Sequence, residues 1–120
     1  MKNYAVYAIG NALVDIEYHT SPEKLLELSI EKGVMTLIDE PKQNDLMKQL
    51  GDSHESMACG GSAANTIIGL AHFGANVHYD CHVANDTSGQ FFARDLHVSK
   101  VDSNLKLDDS YSGVTGKCLV

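Results

Sequence analysis

The chain has 120 residues, of which 43% are apolar and 21% are charged, and its formal net charge is −7. This composition is ordinary for a globular protein and fits one modest domain or part of a larger one. Lysine and arginine are dispersed and absent between Gln49 and Ala93, so the cationic stripe that a nucleic-acid binder needs is missing. We therefore expect no nucleic-acid partner.

The apolar runs are too short to span a bilayer, and residues 1–18 lack the apolar core and cleavage site of a secretion signal. An odd number of widely spaced cysteines favours reduced thiols over a disulfide framework or a zinc site. His78 and His82 fall in a predicted strand, where their spacing separates them by roughly 13 Å, so no metal site is expected. These features predict a cytoplasmic protein with no membrane partner. The cysteines are Cys59, Cys81 and Cys118.

The first two elements are predicted as strands. Residues 4–10 form a short apolar run that ends in glycine, as is typical of a buried strand. Residues 12–19 alternate, which predicts a strand with one apolar face and one wetter face that carries Asp15. The apolar face comprises Ala12, Val14, Ile16 and Tyr18.

The next part of the chain begins with a helix. Ser21 is suited to the N-cap and Pro22 to the first helical position, and Gly33 can end the helix. A strand, a helix that opens at Pro41 and a weaker strand are then predicted at residues 34–38, 41–50 and 53–59.

The remaining elements follow a glycine pair. An apolar helix over residues 62–73, ended by Gly74, precedes a strand at 76–84, a helix at 88–99 and a strand at 112–120. Strands that alternate with helices predict an α/β domain with a mainly parallel sheet. The half-polar strands before residue 60 predict a small sheet that covers a cleft. Because the chain stops inside an apolar strand pattern, we expect a fragment.

The glycine pair Gly60-Gly61 has two functional interpretations. A phosphate-binding loop requires G-x-x-x-x-G-K-[ST] or G-x-G-x-x-G, which GGSAAN does not match, and the cations that grip a triphosphate are missing nearby. The alternative is a hinge and a surface for close approach, with the amides of the first helical turn and Asn65 facing ligand oxygens. Plain capping by Ser62 is the structural alternative.

Asp15 is the second candidate for a ligand-binding residue. It lies on the polar face of a strand that starts just after the buried strand ends. A carboxylate can accept two hydrogen bonds at once, which suits the vicinal diol of a sugar. A solvated strand face explains the same residue without a ligand.

Together these motifs resemble those of the ribokinase-like, or pfkB, carbohydrate kinases. GNALVDI (residues 10–16) is followed by GGSAANT (60–66), VANDTSG (83–89) looks like the family's Gly-x-Asp-x-x-Gly turn, and VTGKCLV (114–120) looks like its Thr-Gly strand. One departure is Ala84, which stands where a glycine is usual. The resemblance covers the whole chain in order, and GNALVDI and GGSAANTI look most like the adenosine kinase branch.

The resemblance implies an ATP-dependent kinase that phosphorylates a primary hydroxyl of an adenosine-like nucleoside or a sugar, with a role in purine salvage for a nucleoside. Asp15 would hold two sugar hydroxyls. Gly60 and Gly61 would form a hinge against which the sugar packs, and Asn65 would hydrogen-bond a sugar hydroxyl.

Two further binding residues are implied only for the adenosine kinase branch. Asn11 would lie beside the nucleoside, and Leu37 would belong to an apolar wall of the lid. The implied fold is a three-layer α/β/α core with a small β-sheet lid, incomplete in this chain. The core comprises residues 1–11 and 61–110, and the lid comprises residues 12–60 and 111–120.

The resemblance also implies ATP and Mg²⁺ as cofactors, with a monovalent cation in some members, and a monomer or a homodimer joined through the lid. The family's anion hole, its Gly-Ala-Gly-Asp motif with the catalytic base and its ATP pocket belong to a C-terminal half outside these residues. No catalytic residue is therefore expected here, and the chain alone is predicted to be inactive. The alternatives are a ribokinase- or fructokinase-type sugar kinase, a non-catalytic sugar- or nucleoside-binding module, and a plain α/β domain.

Overall fold

The computed structural model describes residues 2–51, 54–106 and 112–120, without the side chain of Glu55. The chain divides into two compact units, a larger one of Met1–Ile16 with Met57–Val120 and a smaller one of Glu17–Ser56. In chain order the described elements are β1 (Val6–Ile9), β2 (Leu13–Tyr18), α1 (Pro22–Glu27), α2 (Glu40–Leu50), β3 (His54–Gly60), α3 (Ser62–His72), β4 (Val77–Asp80), α4 (Thr87–Val98), β5 (Asp102–Ser103) and β6 (Gly116–Leu119).

The larger unit contains a parallel sheet in the order β1-β4-β5. β1 pairs with β4 from Val6 opposite Val77 to Ile9 opposite Asp80, so the carboxyl ends of the two strands meet at one edge. Helix α3 packs against β1 and β4, and α4 packs against β5. The predicted α/β fold with a mainly parallel sheet is confirmed.

The core of this unit lies between the helices and the sheet. Helix α3 buries Ala64, Ile67 and Ala71 along one face, and α4 buries Phe92 and Leu96 at a spacing of one helical turn. The apolar face of each helix is therefore the face that packs against the strands. The largest fully buried side chains in the molecule are Tyr79, Phe92, Ile67, Leu96, Val14 and Val77.

Strand β1 exists as predicted, but its predicted burial is wrong. Ile9 is 77% exposed, and Val6 and Tyr7 are also exposed. β1 is the edge strand of the sheet, and among the described residues only β4 pairs with it. Apolar character alone therefore does not report how much of a strand its neighbours cover.

A second sheet has the order β3-β2-β6. β2 pairs in parallel with β6, with Leu13 opposite Gly116 and Asp15 opposite Cys118. The predicted alternation of β2 is confirmed, because Val14 and Ile16 are buried while Asp15 on the other face is half-buried.

In the smaller unit the predicted start of the first helix is confirmed. The hydroxyl of Ser21 accepts a hydrogen bond from the amide of Lys24 at 3.2 Å. The helix ends at Glu27 and does not continue to Gly33, because Ser29 has a φ of 55° and turns the chain out of the helix.

The strand predicted at residues 34–38 is wrong. These residues form neither helix nor strand, and Met35 and Leu37 are almost fully exposed. A strand requires a neighbour to satisfy its backbone groups, and none of the described strands pairs with this segment. The following helix is confirmed as α2, which the side chain of Asp39 caps and Gly51 ends.

Candidate functional site

Asp15 lies in the middle of β2, the central strand of the second sheet. Its partner in the register on β6 is Cys118, and Gly60 at the end of β3 lies against its carboxyl group. Partial burial and the nearby Asp15 carboxylate both raise the pKa of the Cys118 thiol. Because Asp15 lies within β2, its carboxylate is positioned by a strand and not by a loop.

Gly60 is a glycine because Asp15 leaves no room for a side chain. A Cβ atom built on Gly60 would overlap all three atoms of the Asp15 carboxyl group. Within the described part of the chain, the Asp15 carboxylate forms no hydrogen bond with another residue. A half-buried carboxylate beside a bare stretch of backbone can accept two hydrogen bonds from a ligand that packs against the glycine.

Gly61 is a glycine for a different reason. Its φ of 102° is a conformation that side chains disfavour, and a Cβ there would lie 2.7 Å from the carbonyl oxygen of Asn11. It is the N-cap of α3 and contributes no side-chain hydrogen bond, so the alternative of capping by Ser62 is wrong. The first amides of α3 have no partner within the helix, which leaves them available to oxygen atoms.

Asn11 and Asn65 both contact Gly61 through their main chains. The carbonyl oxygen of Asn11 accepts a hydrogen bond from the hydroxyl of Tyr79 at 2.8 Å. Asn65 is one turn into α3, where its amide donates to the carbonyl of Gly61 at 2.9 Å and its side chain is exposed. The larger unit thus brings together Asn11, Asp15, Gly60 and Gly61, with Asn65 one turn along the helix.

Leu37, the sixth residue of the predicted site, belongs to the smaller unit. Its side chain is 98% exposed. An exposed leucine in an irregular segment has apolar surface that is free to contact a ligand or another part of the protein.

A pocket of about 470 Å³ opens where β1 and β4 end. Residues 9–13 and 80–82 line it, so it shares Asn11 with the group of residues described above. In parallel α/β sheets, ligands bind at the carboxyl ends of the strands. Sequence reasoning did not place Asp80, Cys81 and His82 at a pocket, although their position at the carboxyl end of a strand is a signal that could have found them.

The two buried thiols of the larger unit are protonated at neutral pH. Burial raises the pKa of Cys81 to about 12, with a further contribution from Asp80. Burial, and then the hydrogen-bonded Asp95, raise the pKa of Cys59 well above its usual range. Both side chains therefore act as small apolar groups in the core.

The chain matches the model of the pfkB family carbohydrate kinases over residues 33–120. It belongs to this family. A search of curated proteins gave no match. The predicted resemblance to ribokinase-like kinases is confirmed, as is the fold class.

Among solved structures, this pfkB chain is similar to a probable sugar kinase from Rhizobium etli CFN 42, with 31% identity, 99% of the chain covered and a TM-score of 0.81. It is also similar to an adenosine kinase from Sinorhizobium meliloti, with 35% identity, 97% covered and a TM-score of 0.78. An adenosine kinase from Trypanosoma brucei brucei, 21% identical with a TM-score of 0.82 over 100% of the chain, shares the fold. The chain spans 35%, 35% and 37% of the lengths of these three structures.

The pfkB motif that resembles a Gly-x-Asp-x-x-Gly turn is tied to the Thr-Gly strand. The carboxylate of Asp86 accepts hydrogen bonds from the amide and hydroxyl of Thr115, at 2.9 and 2.6 Å, and from the amide of Gly89 at 2.7 Å. Burial raises the pKa of Asp86, but these hydrogen bonds outweigh it and the net pKa is lowered. Ala84 is buried in place of the usual glycine, and its amide donates to the Thr115 hydroxyl at 3.0 Å.

Within residues 2–51, 54–106 and 112–120, no group of three His, Cys, Asp or Glu side chains lies close enough to hold a metal ion. Gly60, Gly61 and Asn65 also lie in the stretch between Gln49 and Ala93, which contains no lysine or arginine. In the same described ranges, no helix is long and apolar enough to cross a bilayer.

Proposed function

We propose that this chain binds the acceptor of an ATP-dependent kinase that phosphorylates a primary hydroxyl of a nucleoside or a sugar. The observation that carries the proposal is the placement of the Asp15 carboxylate directly against Gly60, at the entrance to α3. In a pfkB chain, this arrangement suits a polyhydroxylated ring. Two vicinal hydroxyls would donate to Asp15, and the ring would pack on the backbone of Gly60 and Gly61.

The polar groups around this carboxylate complete the proposed contacts. The side chain of Asn65 is exposed on the first part of α3, where it can donate to and accept from a third hydroxyl. Asn11 lines the pocket at the end of β1, where it would sit beside the nucleoside.

An adenosine-like nucleoside is the preferred acceptor in this proposal. The adenosine kinase from Sinorhizobium meliloti is 35% identical, and the exposed Leu37 offers the apolar surface that a nucleobase requires. A sugar such as ribose or fructose is the second candidate, supported by the probable sugar kinase from Rhizobium etli at 31% identity.

The phosphoryl donor in the proposal is ATP with Mg²⁺, and both would be held outside the Asp15 site. This part of the chain would therefore bind the acceptor but supply neither the catalytic base nor the nucleotide contacts, and would be inactive alone. Residues 12–60 and 111–120 would form a lid and residues 1–11 and 61–110 a core, in a monomer or a lid-joined homodimer. We assign the reaction to the cytoplasm, where the three unpaired cysteines stay reduced.

The test of this proposal is Asp15→Asn in the full-length protein. We expect the acceptor KM to rise roughly 10- to 100-fold, as the loss of hydrogen bonds to a charged group produces, with the KM for ATP unchanged. Glu17→Gln is the matched control, because Glu17 is an exposed carboxylate further along β2. It accepts a hydrogen bond from the Ser56 hydroxyl. An acceptor KM that responds equally to both variants would contradict the proposal.

An experiment on the same full-length protein distinguishes a kinase from a non-catalytic binding module. Adenosine, ribose and fructose are each added in a thermal-unfolding experiment, with ATP turnover measured in parallel. A ligand that binds only the folded state raises the unfolding temperature. Stabilisation with turnover supports the kinase, whereas stabilisation with no turnover for any acceptor would favour the binding module.

A further inference from the structure

Tyr79 is a polar residue in the centre of the apolar core. It lies on β4 and is fully buried, on the same face of the strand as Val77. A buried phenol needs a hydrogen-bond partner for its hydroxyl, because an unpartnered one costs stability. Among the described residues that partner is the main-chain carbonyl of Asn11, at 2.8 Å. The hydroxyl thus reaches out of the core to the segment that joins β1 to β2.

Gly10 allows this contact. A Cβ on Gly10 would lie 2.8 Å from the Tyr79 hydroxyl and 2.7 Å from the Cβ of Ala63 on α3. Tyr79 and α3 therefore both lie against Gly10 where a side chain would project, and they leave no space for one.

The same carbonyl of Asn11 also lies against Gly61. Its oxygen lies where a Cβ of Gly61 would be only 2.7 Å away, so the two backbones are in direct contact. Gly61 follows Gly60, whose Cα faces the Asp15 carboxylate. A continuous series of contacts thus leads from Tyr79 through Asn11 and Gly61 to Gly60 and Asp15.

We propose that Tyr79 is a positioning residue for the acceptor site. Its hydroxyl holds the Asn11 carbonyl, and that carbonyl sets the position of the glycine pair on which the acceptor packs beside Asp15. The proposal rests on the proposed function, in which Gly60, Gly61 and Asp15 contact the acceptor. Tyr79 itself touches no acceptor and acts only through the backbone.

Tyr79→Phe in the full-length protein tests this role, because it removes one oxygen and keeps the ring. We expect the acceptor KM to rise about tenfold, the effect of losing one hydrogen bond, while the KM for ATP stays within about twofold. Tyr4→Phe is the matched control, since the Tyr4 hydroxyl donates to Asp102 at 2.9 Å, away from the glycine pair. A merely structural role would lower the unfolding temperature of both variants and leave the acceptor KM unchanged.

Amide hydrogen exchange provides a second readout that does not depend on activity. Tyr79→Phe should speed exchange in residues 10–15 and 60–62, whereas Tyr4→Phe should not. Gly10→Ala is a second variant that keeps Tyr79 intact, because its methyl group would crowd both the Tyr79 hydroxyl and the Cβ of Ala63 and should disturb the same segment.

The two proposals fail in different ways. Unchanged exchange and unchanged acceptor KM in Tyr79→Phe, with Asp15→Asn still impaired, would overturn the role of Tyr79 alone. Faster exchange with no effect of Asp15→Asn on any acceptor would overturn the proposed function and, with it, the role of Tyr79 in acceptor binding.

Discussion

At the scale of single residues, Gly60 and Asp15 depend on each other. Gly60→Ala would place a methyl group inside the space of the Asp15 carboxyl group, so the carboxylate must turn away. We expect the acceptor KM to rise roughly 10- to 100-fold and the free energy of unfolding to fall by about 1–3 kcal/mol through overpacking. Steady-state kinetics and urea unfolding measure the two effects.

Gly69→Ala is the control for this change. Gly69 lies within α3, and a Cβ there would meet no atom within 4 Å. Alanine should therefore stabilise the helix by roughly 0.5–1 kcal/mol and leave the acceptor KM unaltered. Equal kinetics for both alanine variants would disprove the contact between Gly60 and Asp15.

Gly61 combines a strained backbone with a close contact, and the two can be separated. Gly61→Ala should cost about 1–3 kcal/mol for its φ of 102°, plus the clash with the Asn11 carbonyl. Gly33 has a φ of 80° but no atom within 4 Å of a Cβ, so Gly33→Ala measures the backbone cost alone. Chemical denaturation of both variants should show the larger loss for Gly61→Ala, and a larger loss for Gly33→Ala would argue against the Asn11 contact.

At the scale of elements, Asp86 joins helix α4 to strand β6. Its carboxylate caps α4 through Gly89 and holds both the amide and the hydroxyl of Thr115, immediately before β6. β6 in turn pairs with the strand that carries Asp15. We expect Asp86→Asn to lower the free energy of unfolding by about 1–3 kcal/mol, because an amide cannot accept all three hydrogen bonds.

The effect of Asp86 should depend on pH. Because the folded-state pKa of Asp86 lies below its unfolded value of 3.8, the ionised carboxylate stabilises the fold above that value. This stability is lost as the pH falls below the unfolded value and through the folded pKa. The difference between wild type and Asp86→Asn should therefore be full at pH 7 and shrink below about pH 4. Asp45→Asn, on the exposed side of α2, should differ from wild type by less than about 0.5 kcal/mol at neutral pH.

Elements that depend on local chemistry could be predicted from the sequence. The cap by Ser21, the end of α2 at Gly51 and the alternation of β2 each follow from a few adjacent residues. The segment at residues 34–38 has an equally strand-like pattern but pairs with no described strand. Its local preference for a strand was therefore not sufficient to form one. The two-residue strand β5 carries too little pattern to be predicted.

The residues of the candidate site could be named from the sequence, but the contacts among them could not. GNALVDI and GGSAANT identified Asp15, Gly60 and Gly61 through the resemblance, yet nothing in either motif states that the carboxylate excludes a side chain at Gly60. Tyr79 was missed, because its partner is the main chain of Asn11, far away in sequence. Contacts between distant segments require the folded structure.

At the scale of the whole molecule, a nucleobase is what distinguishes the two acceptors of the proposed function. In the proposal, Leu37 contributes apolar surface to the base and none to the sugar. Leu37→Ser should therefore raise the KM for adenosine roughly 10-fold or more, since burial of a leucine side chain contributes about 1.5–3 kcal/mol. The KM for a free sugar should stay unchanged.

Leu26→Ser is the matched control for this prediction, because Leu26 is a second highly exposed leucine of the smaller unit, on α1 at 78% exposure. Kinetics with adenosine and with ribose are measured for wild type and both variants. A loss confined to Leu37→Ser with adenosine supports a nucleoside acceptor. Equal values for Leu37→Ser and wild type with adenosine would instead favour a sugar kinase, whose acceptor binds through Asp15, Asn65 and the glycine pair without an apolar wall.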